Sequence, residues 1–248
     1  MHKLGLVSVS FRGLTPAEAA EAAKNAGLSC IEWGSDVHAP CRDLERLKEI
    51  VKIQQDTGLT CCSYGTYFRI GVNPAEELTD YIRAAKILGT DILRLWCGDK
   101  GSDAYETDAQ REAFYEECRT LAKIAEREQV ILCMECHNNT MTDRKEAALA
   151  LMQAVDSPAF RMYYQPNQFR TREENLAYAA LLAPYTYHLH VFNWEGHERY
   201  PLAESVELWK KYLSCFEADH CLLLEFMPDD RVETLPAEAD ALRAIVGG

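Results

Sequence analysis

Six short apolar runs in this sequence end on polar side chains for which a sequestered strand has no ordinary use. They are Cys30-Ile31-Glu32-Trp33, Leu93-Arg94-Leu95-Trp96, Cys133-Met134-Glu135-Cys136-His137, Tyr163-Tyr164-Gln165-Pro166-Asn167-Gln168, Tyr187-His188-Leu189-His190 and Leu223-Leu224-Glu225. Strand side chains alternate between two faces. If Leu189 and Val191 point outward, His188 and His190 point inward. If Leu222, Leu224 and Phe226 point outward, Leu223 and Glu225 point inward, and Cys133 and Glu135 share a face in the same way. Four successive run ends then offer Glu135, Gln165, His190 and Glu225 to one central point. Two carboxylates, an imidazole and an amide oxygen suit one divalent metal ion. Such a set favours Mn²⁺, Mg²⁺ or Co²⁺ over a thiolate-type zinc site, with Zn²⁺ still admissible. Two inward carboxylates without a partner repel each other and shift upward in pKa. A bound dication removes that conflict, and buried acids are rare without such a reason.

The elements that would position these residues alternate along the chain. Strands are expected at 4–9, 28–33, 59–64, 91–96, 130–135, 161–165, 185–192 and 221–226. Thr15 and Pro16 open the first helix and Gly27 stops it. The second covers 42–57 and stops at Gly58, and the third runs from Asn73 and Pro74 to Gly89. The remaining helices are expected at 108–128, 142–155, 171–182, 203–216 and 232–245. Eight strand–helix units in 248 residues give 31 residues each. That pattern favours a parallel sheet and fits an α/β fold of one (β/α)8 TIM barrel, whose usual size is about 250 residues. An open doubly wound sheet is the rival. Its phosphate fingerprint is missing from the first strand–helix turn, Ser10-Phe11-Arg12-Gly13-Leu14, and there is no P-loop. No linker interrupts the pattern, so residues 1–248 are read as a single domain.

Composition narrows the classes. Lys and Arg number 26 against 39 Asp and Glu, a formal net charge of -13. That surface repels nucleic acid and anionic membranes. No apolar run approaches the ~20 residues of a membrane helix. Ten cysteines are present. Several lie in apolar runs, where free thiols behave as small hydrophobes, and no paired CxxC motif points to structural zinc. With no N-terminal apolar leader, the expected location is a reducing cytoplasm.

In order and spacing these residues resemble the xylose isomerase-like barrel superfamily of sugar-phosphate isomerases and epimerases. The resemblance rests on Leu4-Gly5-Leu6, Gly27-Leu28 with Ile31-Glu32, the strand at Leu59, Met134-Glu135, His188-Leu189-His190 and Leu224-Glu225. It implies one divalent metal held by Glu135, Gln165, His190 and Glu225. Gln165 stands where that family usually has Asp, and Gln168 where related epimerases often carry a substrate-contacting His. The amide brings no charge, so weaker metal affinity is expected. The implied reaction is proton transfer beside a carbonyl of a small carbohydrate, through an enediolate, with Glu135 and Glu225 as the catalytic carboxylates. Candidate substrate contacts around them are His137, His188, Gln168, Glu32, Trp96 and Arg199. Glu32 with Arg94 also reads as an ion pair inside the barrel, and Arg199 as a solvated surface charge. Trp33, His38, Tyr64, Trp96, Phe192 and Trp194 are candidate pocket walls. The same barrel also supports dehydration of inososes or dehydroshikimate, and loss of the charge at Gln165 would suit a non-catalytic sugar-binding barrel. A DNA-repair branch with three zinc ions needs more histidines than the seven present. Homo-oligomer formation through the helical faces is an analogy only.

Overall fold

A computed structural model describes residues 2–247. Eight strands close into a parallel barrel in the order β1-β10-β7-β6-β5-β4-β3-β2. They are β1 (Lys3–Val7), β2 (Cys30–Gly34), β3 (Thr60–Arg69), β4 (Ile92–Trp96), β5 (Ile131–Glu135), β6 (Phe160–Tyr164), β7 (Thr186–Val191) and β10 (Cys221–Leu224). A two-stranded ribbon, β8 (Trp194–Glu195) and β9 (Glu198–Arg199), follows β7. The helices are α1 (Pro16–Asn25), α2 (Leu44–Thr57), α3 (Leu78–Leu88), α4 (Asp108–Glu128), α5 (Lys145–Val155), α6 (Arg172–Leu182), α7 (Val206–Leu213) and α8 (Leu235–Val246). The fold is the expected single (β/α)8 barrel. Among the described residues no helix is long and apolar enough to cross a membrane.

Local chemistry explains the helix ends. Thr15 with Glu18, Thr107 with Gln110 and Thr171 with Glu174 form reciprocal capping boxes at the starts of α1, α4 and α6. Gly58 and Gly89 end α2 and α3 at φ +75° and +85°, a left-handed conformation that costs glycine nothing. Alternation along the strands then divides the core. Leu6, Ile31, Leu132, Leu189, Val191, Leu222 and Leu224 meet the helices, while Val7, Cys30, Cys62, Cys133, Tyr163, Cys221 and Leu223 fill the barrel.

Boundaries differ where a loop takes over a strand's end. The first strand stops at Val7, and a 3-10 turn, Ser8–Phe11, bends the chain over the barrel mouth. β3 extends to Arg69. β6 and β10 stop at Tyr164 and Leu224, so Gln165 and Glu225 are loop residues just past their strands. Phe226 has φ +54°, which breaks the alternation, and its ring reaches the pocket instead of the helices. The β8–β9 ribbon turns on Gly196, at φ +59°; its strands of two residues are too short to show a period. Trp33, Tyr64 and His38 are not pocket walls. Trp33 and Tyr64 belong to the outer core, with Trp33 Nε1 donating to Gln54 and Tyr64 Oη to the Ala39 carbonyl.

His38 pins the mouth loop. Its Nε2–H donates to the Leu14 carbonyl at 3.0 Å, and its Nδ1 lies 3.1 Å from Ser8 Oγ. Ser8 Oγ accepts from Gly34 N–H, and its own proton can be donated to Nδ1 of the neutral ring. Burial lowers the His38 pKa and outweighs the Leu14 carbonyl, which works to raise it. Above about pH 6.5 the folded and unfolded rings are both neutral; as pH falls, the unfolded ring binds a proton that the folded one refuses. Stability therefore falls as pH drops below about 6.5, toward the folded pKa. Urea midpoints measured down this range should decline, and His38→Gln should flatten the decline. A slope untouched by the substitution would assign it elsewhere.

Candidate functional site

Four donors converge at the C-terminal mouth of the barrel. Glu135 is the last residue of β5, His190 lies in β7, and Gln165 and Glu225 follow β6 and β10. Glu225 N–H donates to the Val191 carbonyl at 3.1 Å, extending the β10–β7 ladder past the strand. Ligand atoms of Glu135, His190 and Glu225 all lie within 4.8 Å of one another, and all three residues are buried. His190 Nδ1 is 3.0 Å from Gln165 Oε1, 3.5 Å from Glu225 Oε2 and 3.9 Å from Glu135 Oε1. Its Nε2 faces Glu32 Oε1 at 3.4 Å and has no hydrogen bond.

That ring has acceptor oxygens on both sides. A neutral imidazole holds one proton, so one nitrogen lone pair always faces oxygens. A donor or a cation is needed there: a proton on the ring, a protonated Glu225, the amide N–H of a turned Gln165, or a metal ion at Nδ1 would each supply it. Burial lowers the His190 pKa, but Glu225 and Glu32 outweigh it and hold it above the usual histidine range. A metal at Nδ1, with Nε2–H turned to the Glu32 carboxylate, is the arrangement in which metal-bound histidines are oriented. Three oxygen donors and one nitrogen thus fit a hard divalent ion.

Arg94 balances the remaining charge. Its Nε donates to Glu32 Oε1 at 2.8 Å and its Nη1 to Glu135 Oε2 at 2.5 Å, with all three side chains buried. Ser63 Oγ adds a bond to Glu32, and Trp96 Nε1 one to Glu135. Burial works to raise both carboxyls. Arg94 and then His190 outweigh it, and both groups titrate below the usual carboxylate range. Glu225 goes the other way, raised by burial and by Glu135 against the pull of His190. The pair needs close backbone approach. A Cβ on Gly65 would stand 2.7 Å from Glu32 Oε1 and 2.8 Å from Arg94 Nη2.

A cavity of about 290 Å³ opens above the donors. Trp96, His137 and Gln168 line it, as do Glu135, Gln165 and Glu225. The His137 ring stacks on Trp96 with centroids 4.6 Å apart. Phe192 and Trp194 supply apolar wall, as read from sequence. Three expected contacts do not reach it. Glu32 lies beneath, fully buried against Arg94. His188 points inward but sits at the other end of the barrel, two residues below His190, where its Nδ1 lies 2.7 Å from the Tyr187 carbonyl oxygen and 3.2 Å from Cys221 N. Alternation fixed its face correctly but not its depth. Arg199 is bonded to Asp230 and stacks behind Trp194 and Phe226, 4.7 and 4.9 Å from their ring centroids. Sequence reading missed Arg12, Tyr67, Asn138 and Asn167 in the lining. They come from loops and the extension of β3, which carry no periodic signal; of the four, only Asn167 stood in one of the polar run ends, and without an assigned role.

The model of the xylose isomerase-like TIM barrel family matches residues 20–243. This chain belongs to that family. Among solved structures it is similar to one described as the probable 3-DHS dehydratase AsbF, involved in petrobactin synthesis in Bacillus anthracis (TM-score 0.82, 19% identity, 98% of each chain covered). It is also similar to a xylose isomerase-like TIM barrel protein from Mycobacterium smegmatis in complex with magnesium (TM-score 0.74, 15% identity, covering 100% of this chain and 97% of that one). A third is 3-keto-D-glucoside 4-epimerase, YcjR, from E. coli (TM-score 0.71, 13% identity, 100% of both). At these identities the likeness is one of fold. A search among curated proteins finds no match.

Replacing Arg94 by Met would strand two buried carboxylates. Removing one partner of a buried ion pair costs about 3–5 kcal/mol. Urea unfolding of Arg94→Met should show a loss of that order. A loss below about 1 kcal/mol, the value of an exposed pair, would mean the carboxylates do not depend on it.

Proposed function

We propose that this chain is a metal-dependent isomerase or epimerase of a small sugar or sugar phosphate. One observation carries the reading: Glu135, Gln165, His190 and Glu225 converge on the floor of a pocket whose walls mix aromatic rings with hydrogen-bonding side chains. The same four residues would hold the ion, with Mn²⁺, Mg²⁺ or Co²⁺ preferred and Zn²⁺ tolerated by this donor set. A divalent cation there supplies Lewis acidity, which stabilises negative charge developing beside a substrate carbonyl.

The protein's own groups do the rest. Glu135 is the ionised carboxylate, held so by Arg94 and Trp96, and serves as base toward a substrate C–H. Glu225, which burial and Glu135 raise above the usual carboxylate range, is the second carboxyl and returns a proton. Return to the opposite face gives an epimer, and return to the neighbouring carbon gives the aldose–ketose isomer. His137, Asn138, Asn167 and Gln168 offer donors and acceptors to hydroxyl groups, and Phe192 and Trp194 exclude water from one wall. The lining also bears on the choice between a sugar and its phosphate. Arg12 Nε is bound to Asp36 at 2.7 Å and its Nη2 to Tyr67, while Arg94 is paired below. Both arginines of the lining are engaged, which favours an uncharged polyol.

A dehydratase reading has one observation in its favour. Arg94 and Trp96 both engage Glu135 Oε2, so Glu225 is the site carboxyl without a guanidinium partner. One such group can take a C–H proton and pass it to a departing hydroxyl on the same face.

Metal content by plasma mass spectrometry, after dialysis against Mn²⁺, should be near-stoichiometric in the wild type and lost in Glu135→Gln/Glu225→Gln. Equal, negligible metal in both would sink the reading. Ketoses and polyol ketones incubated in D₂O and followed by NMR then separate the reactions. Isomers carrying solvent deuterium support isomerase or epimerase action, and an unsaturated product supports dehydration.

A further inference from the structure

The other end of the barrel holds a second cluster of ligating groups. Cys30 opens β2, Cys62 lies in β3 and Cys221 opens β10. Their three Sγ atoms lie within 4.8 Å of one another, and all are free, buried thiols. Barrel interiors are ordinarily filled by bulky branched side chains, and three thiols in contact are a poor way to fill space. The neighbouring strand makes room for them. A Cβ on Gly5 of β1 would stand 2.6 Å from Cys30 Sγ, from the Cys30 carbonyl oxygen and from Leu223 Cδ2, so glycine keeps this crowded layer clear. The cluster is also reachable. Cys62 and Cys221 line a cavity of about 610 Å³ at the N-terminal mouth, together with Lys3, Asp91, Tyr187 and His188.

We propose that Cys30, Cys62 and Cys221 form a second metal site, taking a thiophilic divalent ion of the Zn²⁺ class, with its fourth position open to the N-terminal cavity. Zinc–sulfur bonds of about 2.3 Å put tetrahedral sulfurs about 3.8 Å apart, within a small contraction of the spacing seen. Binding releases the thiol protons to solvent, and Lys3 at the mouth offsets the thiolate charge. The ion ties β10 to β2 and β3 across β1, which is where the first and last strands close the barrel. It is therefore a staple on the seam, independent of the carboxylate centre.

The test is a Cd²⁺ titration of metal-stripped, reduced protein, followed by the thiolate-to-cadmium charge-transfer absorption. Saturation near one equivalent is expected, with a rise in melting temperature. Cys62→Ala should weaken binding at least tenfold, while Glu135→Gln/Glu225→Gln should keep the band. No band in the wild type, or an unchanged band in Cys62→Ala, overturns the site. If Cys62→Ala does not fold, Cys62→Val, which restores an ordinary barrel filler, replaces it. The ¹¹³Cd shift of the wild type decides independently: a sulfur-rich shift supports the site and an oxygen-rich one overturns it. A disulfide among the three cysteines in the freshly purified protein also overturns it.

Discussion

A guanidinium sealed inside the barrel sets the terms for everything at its C-terminal mouth. Arg94 is 3% exposed and touches two carboxylates. Fully ionised, Glu32, Glu135 and Glu225 would bring three negative charges into a buried space, and one arginine would leave two uncompensated; the raised pKa of Glu225 reflects that deficit. A proton on His190 removes one more; a divalent ion in its place removes both. The geometry around His190, with acceptors facing each ring nitrogen, is what such a deficit produces. Gln165 fits the same balance. An aspartate there would bring a fourth carboxylate, and the dication would no longer neutralise the set. The amide keeps an oxygen in place at no cost in charge, and in this chain Arg94 and Gln165 belong to one solution.

Much of this was written in the strand pattern. Period-two alternation placed Glu135, His190 and Glu225 on the inner face, and the structure brings their donor atoms together. The helix α4 matches its expected span of 108–128, because Thr107 and Gln110 cap it and a left-handed residue ends it. Depth along the barrel axis was not legible. His188 and His190 share a face, yet two residues of rise separate a site residue from one at the opposite mouth. Loop residues were not legible either. Arg12 reaches the pocket because a 3-10 turn replaces the end of the first strand, and Phe226 because a left-handed φ interrupts the alternation. Neither departure leaves a mark in hydrophobic periodicity.

The same alternation links the two ends of the barrel. On β2, Cys30 lies two residues below Glu32; on the last barrel strand, Cys221 lies four below Glu225. Each inner face thus runs from sulfur at the N-terminal mouth to oxygen at the C-terminal mouth. The layer between them holds Tyr163 and Leu223. Hard cations prefer the oxygen end and thiophilic ones the sulfur end. Two ions of different character could occupy one barrel without competing, because their ligands lie at opposite mouths and share only the strand that carries Cys221 and leads to Glu225. Glycine matters to both ends as much as the ligands do. Gly65 gives the Glu32–Arg94 pair its room, and Gly5 gives room to Cys30 and Leu223, so a methyl group at the first would press on the C-terminal mouth and at the second on the thiol layer and the layer above it.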